Sequence, residues 1–145
     1  MEVKINRKRK FGEEKLIENI EIVRPILIDY YFTKCMISNI FECNYITLLH
    51  VENANLVYEI FEPTNMWEGN QTLEIVGRAE ADIFDGENEA KIIFRIVSGK
   101  MKTGECFSEI ILGREAILMW ENKGFRPLEE AFKCTKCGQP EVGPQ

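Results

Sequence analysis

Between Thr72 and Phe84 the chain alternates without a break. Leu73, Ile75, Gly77, Ala79, Ala81 and Ile83 fall on one side of an extended backbone, with Glu74, Arg78, Glu80 and Asp82 on the other. A period of two gives a strand one buried and one solvated face, so a sheet with a single core-facing side is required here. Asp85-Gly86-Glu87-Asn88 supplies a hairpin connection, and Glu89–Ser98 repeats the pattern with Ala90, Ile92, Phe94 and Ile96 inward and Lys91 and Arg95 outward. After a turn over Ser98–Gly104, Glu105–Leu112 is predicted as the third strand of an antiparallel meander. A shorter alternating run, Leu56–Phe61, precedes these strands and leads into a connection rich in turn formers, residues 62–71.

The segment from about Ile28 to Leu49 carries a different signal. Ile28, Phe32, Cys35, Met36, Ile40, Cys43 and Ile46 recur at three- and four-residue steps, no Gly or Pro interrupts them, and Asp29 stands where an N-cap would. The spacing predicts a long, largely buried helix. Gly77, Ala79 and Ala81 leave room on the inner face of the sheet for it. Upstream, Glu13–Val23 suits a short helix or a strand, and Arg24-Pro25 ends that element. Downstream, Arg114–Trp120 reads as a second helical stretch, followed by a short acidic segment at Leu128–Phe132. The expected class is α+β, with a curved antiparallel sheet wrapped around a long central helix. Residues 1–12 read as a basic arm, 13–120 as the domain and 121–145 as a tail.

Composition narrows the function classes. With 145 residues, 45% hydrophobic and 29% charged, one compact domain is the default. The apolar runs are far shorter than the ~20 residues a membrane-spanning helix needs. A net charge of −6 argues against nucleic-acid binding, the Arg7–Lys10 cluster reading as a solvated tail. The first residues are charged and no apolar signal region follows; the five Cys are an odd number, and Cys35, Cys43 and Cys106 sit in apolar surroundings. The expected setting is a reducing cytoplasm.

The order of a long helix followed by a wrapping meander is the layout of the hotdog fold. Ile40-Phe41-Glu42-Cys43 resembles the helix segment of fluoroacetyl-CoA-thioesterase-like proteins, and Phe61–Gly69, Asp82–Gly86, Phe94–Gly99 and Gly104–Phe107 look like that family's loop and closing strands. The resemblance implies an acyl-CoA thioesterase that works as a homodimer without a catalytic cofactor. It places Glu42 as the base that activates water, assisted by Thr33 or Asn65; the family's histidine has no counterpart here. Trp67 would wall the ligand pocket or pack under the sheet edge. Arg95, Lys100 and Lys102, with Lys91, form an outward basic group that could hold the phosphates of a CoA-like ligand or simply face solvent. His50 reads as a C-terminal cap of the long helix.

Two further readings stand beside that one. The missing histidine suits a non-catalytic module that binds acyl-CoA or another small ligand, or serves assembly, on the same fold. Cys134-Thr135-Lys136-Cys137 has the spacing of half a zinc site, so Cys134 and Cys137 could share a structural Zn with a second subunit.

Overall fold

A computed structural model describes residues 19–104 and 106–131 of the chain. The elements are β1 (Glu21–Ile28), β2 (Tyr31–Ser38), β3 (Tyr45–Thr47), α1 (Leu48–Ala54), β4 (Val57–Glu68), β5 (Gln71–Phe84), β6 (Glu89–Val97), β7 (Met101–Thr103), β8 (Cys106–Ser108), β9 (Ile110–Leu112), α2 (Arg114–Asn122) and α3 (Leu128–Ala131). The main sheet has seven strands in the order β1-β2-β9-β3-β6-β5-β4, and β7 pairs with β8 alone. Leu27 and Ile28 of β1 also pair with Phe84 and Ile83 of β5, which closes the sheet on itself and leaves β4 outside the ring as an extension of β5.

The hotdog expectation is overturned, since the described residues contain no central helix. The stretch predicted as one buried rod, residues 28–49, instead holds the end of β1, a turn, β2, a loop, β3 and the start of α1. Physical reasons are legible in hindsight. Tyr31, Phe32, Thr33 and Ile37 are strand-favouring types. The second half of β2 is buried on both faces, so its apolar run fits a three-four spacing as readily as a strand. Asp29, read as an N-cap, turns the chain with φ 51, in the left-handed region Asp tolerates. Its amide donates to Asp82 O (2.7 Å), and its carboxylate accepts from Asp82 N (2.8 Å). Pro25 lies inside β1, where β5 reaches only Leu27 and Ile28 and leaves the outer edge open for a residue with no N–H.

The meander also needs correction. β5 and β6 form the expected hairpin, but the next strand breaks at Glu109. Its second half, β9, lies between β2 and β3, parallel to one (Ile111↔Met36) and antiparallel to the other (Ile111↔Tyr45). Two consecutive strands thus part to admit a third from far along the chain, a ψ-shaped crossing. The turn-rich connection at 62–71 proves to be strand for most of its length, with a register shift between Ile60 and Thr64 that accommodates Pro63. Gly77 was expected to make room for a helix. It makes room for β4, since a Cβ there would overlap the Glu59 carbonyl oxygen.

The core lies inside the ring. Ile26, Ile28, Ile46, Ile83, Ile92, Phe94 and Ile96 form its centre, and α2 and α3 cover one side with Trp120, Ile117 and Leu128. Met36, Phe41, Tyr45, Leu73, Val97 and Ile111 make a second cluster beneath the loop between β2 and β3.

Candidate functional site

The ψ crossing organises a connected polar region. Where β9 ends, Gly113 passes so close to the 39–44 loop that a Cβ would overlap Cys43 O and press on Phe41 O at 2.7 Å. Gly113 N donates to Asn44 Oδ1 (2.8 Å), and Asn44 Nδ2 donates to Ile93 O (3.2 Å), so one amide side chain ties β9 to β6. The first amides of α2 have no carbonyl one turn back within their own helix. They borrow two from the loop: Arg114 N donates to Phe41 O (2.9 Å) and Glu115 N to Glu42 O (3.1 Å).

From the other side, the β4–β5 hairpin, turned at Gly69 with φ 63, brings Glu68 onto the same loop. Its buried carboxylate accepts from Glu42 N (2.9 and 3.1 Å), Cys43 N (3.2 Å) and Tyr45 Oη (2.5 Å). Burial, then the bond to Glu68, pushes the Tyr45 phenol well above its ordinary range. Tyr45 is therefore a locked donor at neutral pH.

The residues singled out from the sequence are not brought together. Glu42 is exposed in the loop and forms an ion pair with Arg114. Thr33 sits on β2 opposite Ile26, and Asn65 on β4 opposite Glu74. No hydrogen bond or shared pocket links the three among the described residues. Trp67 is 70% exposed beside the hairpin tip rather than walling a pocket. The basic group divides. Lys100 pairs with Glu109 (3.4 Å), and Lys102 lies over the Phe107 ring and accompanies Gln71, whereas Lys91, which reaches Asp82 (3.5 Å), and Arg95 line a separate hollow. His50 does not cap a long helix. It is the third residue of α1, bonded through Nδ1 to Tyr31 Oη (3.0 Å) and through Nε2 to Glu109 (2.8 Å). Cys134 and Cys137 lie outside the described residues. Among the described residues no cluster of His, Cys, Asp or Glu could hold a metal, and no helix is long and apolar enough to cross a membrane.

Sequence reading missed Glu68, Tyr45, Asn44 and Gly113. Only Gly113 carried a signal, a glycine between the apolar run Ile110–Leu112 and a helix.

With a ring of strands, a ψ crossing and a helix leaving it, the class of fold can be stated. The chain is similar to the retroviral protease from EIAV solved with the inhibitor HBY-793, with TM-score 0.52 and 12% identity over 83% of this chain and 99% of that one. It is also similar to the retroviral protease-like domain of Ddi1 from Leishmania major, with TM-score 0.55 and 12% identity over 85% of this chain and 94% of that one. No family model and no curated protein matches the chain. These likenesses establish a retroviral-protease-like fold and remove the thioesterase assignment along with the hotdog fold on which it rested.

Proposed function

We propose that the chain is a non-hydrolytic domain on the protease-like scaffold and acts as a homodimeric assembly module. Aspartic proteases cleave peptides with two carboxylates about 3 Å apart that share one proton. The observation that carries the proposal is that the three Asp of the chain, and the two Glu beside the ψ crossing, are committed elsewhere. Asp29 binds the Asp82 amide, Asp82 pairs with Lys91, and Asp85 accepts from Glu87 N and Asn88 N. Glu42 pairs with Arg114, and Glu68 is filled by its three donors. Where β2 runs into its loop the chain reads Ser38-Asn39-Ile40, none of which can hold a proton shared between carboxylates.

Support for assembly comes from the surface around that loop and the hairpin tip. Ile40 (44% exposed) lines a hollow of about 510 Å³ with Phe41, Glu68, Gln71 and Lys102, and two further exposed rings belong to residues adjoining that lining, Trp67 (70%) next to Glu68 in sequence and Phe107 (64%) under Lys102. Large apolar side chains grouped this way mark interaction surfaces, and a two-fold contact lets one such patch cover its own copy.

Sedimentation velocity of the full chain at micromolar concentration, with peptidase assays on unfolded casein from pH 3 to 7, tests both halves. The expected result is a dimer without cleavage, converted to a folded monomer by Ile40→Asp combined with Trp67→Asp. Cleavage that disappears in Glu68→Gln would overturn the non-hydrolytic half, and a monomeric wild type would overturn the assembly half.

A further inference from the structure

A second hollow, of about 530 Å³, lies between the outer face of the β5–β6 hairpin and the first turns of α2, and shares no lining residue with the one beside the hairpin tip. In the β5–β6 register Arg78 stands directly opposite Arg95. Like charges in that position repel, by up to about 1 kcal/mol, so the pairing calls for a counter-charge. Arg78 has one, in Glu80 (3.1 Å) and more distantly Glu59 (3.5 Å). Arg95 has none within ion-pairing distance among the described residues. Partial burial works against its charge, yet the side-chain bond to Cys43 and the nearby Glu115 carboxylate outweigh that and keep the guanidinium protonated. The wall facing these cations is apolar: Phe61, Ile93, Ala116 and Met119.

We infer that this hollow is a binding site for a small amphiphilic anion, its carboxylate or phosphate head on Arg95 and Arg78 and its apolar body against Ile93 and Met119. A guanidinium fork suits either head, because both offer two coplanar acceptor oxygens. The volume falls within the range of small-molecule sites, and an apolar wall with few placed polar groups is their usual make-up. Lys91, already engaged with Asp82, adds positive potential beside the two arginines, and the Glu115 carboxylate, near Arg95 but not paired with it, lowers that potential in part. The inference is independent of whether the chain dimerises or cleaves peptides.

Calorimetric titration of the full chain with 4-phenylbutyrate, phenyl phosphate and inorganic phosphate, followed by ¹H–¹³C methyl shifts, separates the sources. The expected result is saturable binding of at least one aromatic anion, at least tenfold tighter than inorganic phosphate, with shifts at Ile93 and Met119. Arg95→Gln should weaken it tenfold or more. Arg78→Gln, at a more exposed position, provides the same readout if the Arg95 variant does not fold. Lys102→Gln should leave it unchanged. Preference for phenylbutyrate assigns a carboxylate ligand and preference for phenyl phosphate a phosphate monoester. Absence of binding by both aromatic anions, equal affinity for inorganic phosphate, or full retention in Arg78→Gln and Arg95→Gln overturns the site.

Discussion

Glu68 shows how one side chain can decide a local conformation. Its carboxylate receives the part-buried amide of Glu42, the buried amide of Cys43 and the Tyr45 phenol, whose other contact is the Met66 sulfur at 3.5 Å. Leaving a buried donor unpaired costs about 1–3 kcal/mol. Glu68→Ala is therefore expected to lower unfolding free energy by about 3 kcal/mol or more in urea titrations, while Glu68→Gln, which keeps one acceptor oxygen, should cost about 1 kcal/mol. The pH dependence belongs to Tyr45. Its folded pKa is raised, by burial first and Glu68 second. In the unfolded chain the phenol ionises near 10. Below that pH both states hold the proton and nothing changes; above it the unfolded chain binds fewer protons, so stability falls as pH rises. Between pH 10 and 11 the loss from this group is about 1 kcal/mol, and Tyr45→Phe should remove that part of the slope in urea titrations across the interval. An unaltered slope would place the phenol in water.

At the scale of elements, the sequence made the hairpin of β5 and β6 plain, because each strand has one wet and one dry face. It also marked the helix beginning at Arg114. It misled where burial is two-sided. β2 enters between β1 and β9, so Cys35, Met36 and Ile37 are all buried and the period of two vanishes. The partner responsible, β9, lies more than seventy residues downstream, beyond the reach of any local pattern. The candidate site was illegible for the same reason. Glu68 sits among turn formers, and nothing near it in sequence says that its partners are Glu42, Cys43 and Tyr45. Gly113 tests this account of the crossing. Gly113→Ala would place a methyl on the Cys43 carbonyl with only backbone to yield. The expected outcome is loss of about 3 kcal/mol or an insoluble product, whereas Gly99→Ala, with open space around its position, should fall within about 0.5 kcal/mol by the same urea titration.

For the molecule as a whole, the ring cannot close until its last strand arrives. β2 and β3 follow one another in sequence but are not neighbours; β2 has β1 and β3 has β6 on the outer side, and the partner for the inner edge of each is β9, which must come from the far end of the fold and thread between them. Such long-range pairing carries a large loop-closure cost before any contact rewards it, so the barrel is expected to fold slowly and as one unit. The dependence can be tested by ending the chain after Glu109. That truncation keeps β1 through β8 but strips the inner edges of β2 and β3, takes Ile117, Trp120 and Leu128 out of the core and removes the Gly113 and Arg114 amides that bond Asn44 and Phe41. Circular dichroism and urea unfolding should show strand content without a cooperative transition, while a chain ending after residue 131 should unfold in a single step. If the shorter chain also unfolds cooperatively, β9 is an ornament on a finished barrel rather than the strand that completes it.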